Sequence, residues 1–326
     1  MKVAVVGAGY WGKNLVRNFY ELGVLEMVCD TDKNKIEQLK KTYPTISFTS
    51  CFDDVLSSSV KGIIISTPAS THYELAKKAL SFEKDVFIEK PLVLFKTQAS
   101  ELVSISNEKK LILMVGNILQ YHPAYIRLKE IVEDGAIGNI LYIHTRRLNL
   151  GRIEKEKNVL WGFAPHDISL ILDILKEKPE KLNSFTHKEK DVLDSAWISM
   201  DFPSKRKAQT FVSWLYPYKE QKFFVMGEKM IILFDDCADW NEKLKIYAYS
   251  MEKNDEISLK EKALFKVDIE PKEPLKEECK HFIQCILDRK KARTDGKDMI
   301  DVVSIVEECV KNHDSISKFK TTIHRS

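Results

Sequence analysis

The apolar run Val3-Ala4-Val5-Val6 breaks into Gly7-Ala8-Gly9-Tyr10-Trp11-Gly12 and then continues as Lys13-Asn14-Leu15-Val16. No other stretch limits the folds open to this chain so tightly. Four consecutive apolar residues read as a buried strand, and Leu15, Val16 and Phe19 follow at helical spacing, so the glycines occupy a strand-to-helix turn. Gly7 allows the sharp bend, Gly9 lets the backbone come close to a pyrophosphate, and Gly12 lets the helix lie against the strand. The first N–H groups of that helix then face an anion. A second strand, residues 24–29, ends in Asp30, which lies 18 residues past Gly12, close to the roughly 20 expected for the acid that binds the adenosine ribose. The stretch predicts a dinucleotide site built on Gly7, Gly9, Tyr10, Trp11, Gly12 and Asp30.

Strand and helix patterns keep alternating after Asp30. Residues 46–49, 62–66, 86–88 and 111–116 read as short apolar strands. Residues 33–43, a segment capped by Ser70-Thr71 and carrying Leu75, Ala76, Ala79 and Leu80, and residues 99–105 read as helices. Six strands alternating with helices argue for a parallel, doubly wound sheet over residues 1–118. The residues that do not suit a core fall at the strands' carboxyl ends: Gly7, Asp30, Thr67-Pro68, Glu89-Lys90-Pro91 and Asn117. In an open parallel sheet those ends share one edge, where ligands bind.

From residue 119 to 326 the texture changes. After a helix over 123–132, residues 140–148, 196–202, 208–214, 222–225, 230–234 and 244–247 read as strands with hairpin-length connections. This predicts a second, α+β domain with an open, largely antiparallel sheet. Residues 168–175, 279–287 and 302–310 are the helices expected to cover it, and the charged run 288–297 reads as a solvated loop.

A length of 326 residues suits two domains. With 51 Lys and Arg against 48 acidic residues, the charge of +3 argues against nucleic-acid or membrane-surface partners. The cysteines at 29, 51, 237, 279, 285 and 309 have neither zinc-site nor disulfide-framework spacing, so no metal is expected. A strand beginning at Val3 and the absence of a long apolar run predict a cytoplasmic protein.

Lys90, held at a strand end between Glu89 and Pro91, can stabilise an alkoxide as hydride leaves a carbinol carbon. The alternative is a salt bridge to Glu89. His166-Asp167 follows the apolar run 159–165, in which Trp161 and Phe163 can wall a ring. At the start of a helix, His166 would stay neutral and serve as a base, or else act as a capped structural histidine. Arg146, Arg147 and Arg152 read either as an anion site or as a charged edge.

Gly7 to Gly12, Asp30, Thr67-Pro68 with His72, Glu89-Lys90-Pro91 and His166-Asp167 together resemble the Gfo/Idh/MocA (glucose–fructose oxidoreductase) family of sugar and cyclitol dehydrogenases. The resemblance implies a Rossmann domain, a C-terminal α/β domain that often forms the oligomer interface, a nicotinamide cofactor, and catalysis by Lys90 with His166. Cofactor contacts would then include Ser66, Thr67, Pro68, His72, Glu89, Lys90 and Asn117. Substrate contacts would include Lys90, Gln120, Tyr121, His122, Arg146, Arg147, Arg152, Trp161, His166 and Asp167. Inositol-type members carry an aspartate four residues before the histidine, where this chain has Gly162. Residues 116–123 and 161–167 are more similar to the nucleotide-sugar branch, which implies oxidation at C3 of a UDP-linked N-acetylhexosamine to a 3-keto sugar by a homo-oligomer, dimer or tetramer. The alternatives are a 3-keto-deoxysugar reductase, a free-sugar or inositol dehydrogenase, and a non-catalytic NAD- or sugar-sensing regulator. Because Asp30 accepts from a ribose 2′-hydroxyl but repels a 2′-phosphate, NAD is expected over NADP. Asp30→Ala should relax that preference, which parallel titrations with the two cofactors measure.

Overall fold

The computed structural model describes residues 1–151, 158–190, 192–253 and 257–323, with side chains described for all of these except 250–262 and 313–323. The chain forms two compact units, Met1–Tyr121 with Glu273–Ser304, and His122–Lys272 with Ile305–Ser326.

The first unit runs β1 (Val3–Val6), α1 (Gly12–Glu21), β2 (Leu25–Cys29), α2 (Lys33–Thr42), β3 (Ser47–Thr49), α3 (Phe52–Ser57), β4 (Gly62–Ile65), α4 (Ala69–Ser81), β5 (Asp85–Glu89), α5 (Lys96–Glu108) and β6 (Leu113–Gly116). Its six strands are all parallel, in the order β3-β2-β1-β4-β5-β6. The order reverses at β1 and β4, the doubly wound arrangement expected from the alternating pattern. Strands β1, β4 and β5 in the middle of the sheet, and β6 at its edge, are buried along their whole length, as helices on both faces require. Local chemistry sets the helix starts: the Asp32 carboxylate accepts from the N–H groups of Asn34 and Lys35 at the head of α2. The cap expected at Ser70-Thr71 is not used. The helix α4 begins at Ala69 behind Pro68, which fixes the backbone there, and the Thr71 hydroxyl donates to Pro68 O at 2.8 Å.

The second unit holds α6 (Pro123–Glu133), β7 (Ile140–Leu150), α7 (Val159–Leu175), β8 (Lys181–Glu189), β9 (Val192–Asp201), β10 (Lys207–Ser213), β11 (Leu215–Gly227), β12 (Met230–Asp235), β13 (Leu244–Lys253) and β14 (Ile257–Lys266). These strands form one sheet in the order β14-β13-β12-β11-β7-β10-β9-β8. Every neighbouring pair is antiparallel except β7 with β10. The helix α7 packs on β7, β9 and β10. Strands β8 and β14 are the two edges and carry many charged residues, a composition that discourages edge-to-edge pairing and hides the apolar alternation by which strands are read.

Three expectations are corrected. The helix α7 starts at Val159, with Asn158 as its cap, and passes through Pro165. His166 and Asp167 therefore lie inside the helix, not at its start. Residues 279–287 belong to α8 (Pro274–Asp288), which packs in the first unit, where Phe282 meets Phe19 and Phe87 edge-on at ring separations of 6.5 and 5.7 Å. The 288–297 segment, which joins α8 to α9 (Gly296–Ile323), leaves Asp288 to Lys291, Arg293 and Lys297 exposed, as expected, but it is also anchored in the core. Asp295 forms an antiparallel bridge to Met114, the Val115 N–H donates to Thr294 O at 2.9 Å, and Thr294 is fully buried.

Among the described residues no helix is long and apolar enough to cross a membrane. Phe282→Ala should destabilise the protein by about 3–5 kcal/mol through loss of apolar burial and cavity formation, read as a lower urea midpoint at unchanged slope.

Candidate active site

The glycine turn is held by backbone proximity. A Cβ on Gly12 would lie 2.1 Å from Gly7 O, and one on Gly7, at φ +91°, would lie 2.6 Å from Ser66 O. Position 9 is different, with nothing within 4 Å of where its Cβ would be. That open approach, beside a helix whose N-cap residue Trp11 offers no side-chain cap, suits a pyrophosphate. Asp30 ends β2 nearly buried; its carboxylate accepts from the N–H of Ala8 at 2.7 Å and of Asp32 at 2.9 Å, with Lys35 Nζ 3.8 Å away. Four lone-pair positions on the carboxylate leave capacity for ribose hydroxyls.

Glu89, Lys90 and Pro91 follow at the end of β5, and the Lys90–Pro91 peptide is cis. Glu89 Oε1 accepts from the Trp11 indole N–H at 2.7 Å, and Oε2 from the Lys90 backbone N–H at 3.2 Å. Burial pushes the Glu89 carboxyl up to about 7, against the opposing pull of Trp11 and Lys90. Tyr10, beside Trp11 in the turn, is 87% exposed.

His72, expected among the cofactor contacts, is a buried residue. It is 1% exposed, and its ring nitrogens face Pro91 O at 2.8 Å and Thr67 O at 2.9 Å. Burial lowers its pKa, and as a neutral ring, packed between the turn after β4 and the turn after β5, it donates to one of these two carbonyls. Tyr121, expected to meet substrate, is also a core residue: its hydroxyl lies 3.0 Å from Thr294 Oγ1, and the Arg293 guanidinium sits 5.2 Å over its ring. Asn117 and Gln120 are buried nearby, and Gln120 Oε1 has no hydrogen bond among the described residues.

In the second unit, His122 caps α6 by accepting the Ala124 N–H at 3.1 Å and stacks on Trp240. Desolvation drives its pKa down to about 4, despite Asp236 at 3.7 Å. Arg146 and Arg147 are separated by the two-residue period of β7. Arg147 is buried and makes a two-pronged pair with Asp167, at 2.9 and 3.1 Å, whereas Arg146 is exposed and bonds His144 and Glu220. Neighbouring residues on a strand project to opposite faces, so these two do not form one anion site, and Asp167 is spent on Arg147. Arg152 lies outside the described residues. Burial still raises the Asp167 carboxyl, with Arg147 working against the shift.

His166 lies in the second turn of α7, one helical turn after Gly162, and its carbonyl accepts the Ser169 hydroxyl at 2.9 Å. A Cβ at Gly162 would lie 2.7 Å from Trp214 Cζ2, and Phe163 meets the same indole edge-on. Trp161 is half-buried in the first turn. Two residues of the site region were not anticipated from sequence. Trp214 comes from the end of a strand distant in the chain. Glu278, wholly buried on α8, could have been found, since it shares the apolar helical face of Leu275, Cys279 and Phe282.

A Rossmann unit with an open glycine turn, an acid ending β2 and a lysine ending β5 defines an NAD-binding oxidoreductase. Residues 1–117 match the oxidoreductase family with an NAD-binding Rossmann fold, and residues 125–233 match the GFO/IDH/MocA C-terminal domain. The chain belongs to the Gfo/Idh/MocA oxidoreductase family. It is similar to the 2,7-anhydro-N-acetylneuraminate hydratase of Escherichia coli (strain K12), with 25% identity over 71% of this chain and 66% of that one. It is also similar to the inositol 2-dehydrogenase/D-chiro-inositol 3-dehydrogenase of Lactiplantibacillus plantarum, with 30% identity over 60% of this chain and 59% of the relative. A third relative is the UDP-N-acetylglucosamine 3-dehydrogenase of Acidithiobacillus ferrooxidans, with 24% identity over 62% of this chain and 64% of the relative. A solved structure of that name from the same organism superposes with a TM-score of 0.83 at 21% identity, covering 95% of this chain and 96% of the other.

Asp236, Lys243 and Trp240 leave no stabilising partner for a charged His122 strong enough to overcome its burial, so the ring must be neutral in the folded protein. Its folded pKa near 4 lies below the unfolded 6.5, so the unfolded chain takes up the proton first. The stability linked to this ring is complete above pH 6.5 and is lost as pH falls from there toward 4. His122→Asn, which keeps a capping side chain, should show a shallower fall of unfolding free energy across that window in denaturant melts at stepped pH.

Proposed function

We propose that the protein oxidises the C3 hydroxyl of a UDP-linked N-acetylhexosamine to a ketone. NAD accepts the hydride from C3, and the hydroxyl proton leaves separately. We assign removal of that proton to His166 and stabilisation of the developing alkoxide to Lys90, whose backbone is tied to Glu89. Asp30 and the open position at Gly9 hold the cofactor's adenosine ribose and pyrophosphate in this reading.

The observation that carries the sugar assignment is the packing at Gly162. An acidic side chain one turn before His166, as inositol-type enzymes have, finds its first carbon 2.7 Å from the Trp214 ring. The site is thus built without that carboxylate. Similarity to the UDP-N-acetylglucosamine 3-dehydrogenase points the same way, while the inositol dehydrogenase relative makes polyol oxidation the competing outcome. Arg146 and Arg147 are not assigned to the diphosphate, since one is committed to Asp167 and the other projects from the opposite face. The row Phe185, Trp197 and Phe211 across β8, β9 and β10, with Trp197 stacked on Phe211 at 4.5 Å and Phe185 70% exposed, supports a homo-oligomer.

The test is NADH formation with UDP-N-acetylglucosamine, its uronate, glucose and myo-inositol, with and without 2-oxoglutarate as a hydride acceptor. Turnover of a UDP-sugar is expected; turnover of inositol or glucose with neither UDP-sugar active would overturn the assignment. Lys90→Met and His166→Ala should each lower turnover by about two to four orders of magnitude with NAD binding retained, and near wild-type turnover in either removes that residue's role.

A further inference from the structure

We propose that Trp11 is a positioning residue: its indole N–H latches the dinucleotide turn onto Glu89 and so fixes the backbone that carries Lys90. The two oxygens of one carboxylate are divided between two chain segments. Oε1 takes the Trp11 indole N–H at 2.7 Å and Oε2 takes the Lys90 N–H at 3.2 Å. A single side chain thereby joins the turn between β1 and α1 to the turn after β5. The surroundings are built for it. Glu89 is only 9% exposed, and β6 ends in Gly116, where a Cβ would lie 3.0 Å from the Glu89 carboxyl. Trp11 is itself partly exposed, so the inward-reaching edge of its ring is the anchored part of an otherwise open turn.

Lys90, on the same strand end, favours the charged form of Glu89, while Glu278 and Cys279 on α8 face it as further titratable groups. Glu278 is completely buried; the Asn117 backbone N–H favours its charged form, but neither carboxyl oxygen makes a well-formed hydrogen bond among the described residues, and burial raises its pKa well above the usual carboxylate range. Two neighbouring buried carboxyls do not both ionise readily, and the charge goes to the one with well-formed N–H bonds to both oxygens. Glu89 therefore carries the charge and Glu278 the proton. Protonating Glu89 turns a charge-assisted bond into a neutral one and loosens the latch.

The inference rests on NAD binding and on the place of Lys90, not on the identity of the sugar, so its test uses NADH alone. The dissociation constant of NADH is measured by calorimetry on the full chain from about pH 5 to about pH 9. Wild-type affinity should fall about tenfold on the acid side, with a midpoint near 7. Trp11→Phe and Glu89→Gln should each bind NADH about tenfold more weakly at alkaline pH and lose the pH dependence, and the double variant should be no weaker than the weaker single variant. Glu278→Gln, which matches a protonated acid in shape, should keep the wild-type midpoint. Wild-type affinity and midpoint in Trp11→Phe, additive losses in the double variant, or a moved midpoint in Glu278→Gln would each overturn the latch. If Trp11→Phe does not fold, Glu89→Gln carries the same test, and persistence of the pH dependence in it overturns the proposal. Failure of every sugar to react would leave these readings untouched.

Discussion

The backbone of Gly12 passes so close to the carbonyl of Gly7 that no Cβ fits, and much of the first unit follows from that approach. It sets α1 down on β1 with its N-terminus at the carboxyl edge of the sheet. Right-handed parallel connections then bring the ends of β2, β4, β5 and β6 to the same edge. Asp30, the Thr67-Pro68 turn, Lys90 and Asn117 are separated by tens of residues in sequence and share that edge because their strands are parallel. The Rossmann unit is thus a device for gathering loop residues, and its cofactor chemistry depends on them more than on its core.

Holding those loops still falls to polar groups taken out of water. His72 packs as a neutral ring between the turns after β4 and β5, and Glu89 joins the turn after β1 to the turn after β5 as a carboxylate. In the second unit the Arg147–Asp167 pair ties β7 to α7 beside His166. Buried groups of this kind add less to net stability than their short distances suggest, because desolvation opposes the attraction. What they supply is geometry, since removing one partner leaves the other uncompensated. The shifted pKa values of Glu89, His122 and Asp167 share one cause, burial, with neighbouring charges and donors as corrections.

The pairing of Gly162 with Trp214 shows how the lack of a side chain can be fixed by packing. A helix one turn before a candidate base would ordinarily project a side chain there, and in this protein an indole from the end of the β10 region takes the space. Replacing glycine would require the tryptophan to move, so the two positions form one determinant, although they stand 52 residues apart in sequence.

The six strands of the first unit with helices α1, α2, α4 and α5, the glycine turn, the acid after β2 and the lysine after β5 were legible from sequence, because each depends on contacts within a few residues and on period; the short α3 was not. The open, largely antiparallel second sheet was legible in its buried strands, whose alternation is strong, and hidden at its charged edges β8 and β14. Other features were decided only by tertiary structure. His166 read as lying at a helix start, yet α7 begins at Val159 and runs through Pro165; the 288–297 segment read as solvated, and is exposed over much of its length, but Thr294 is buried against Tyr121. Arg146 and Arg147 looked like one anion site, but a strand's pleat sends them apart, and which of two neighbours faces inward depends on what packs against the sheet. Helix α8 could be recognised by its apolar face, but nothing local says whose core that face enters. That choice was made by Phe19 and Phe87, more than 190 residues away, because burial is a property of the partner surface and a sequence pattern records only the demand for one.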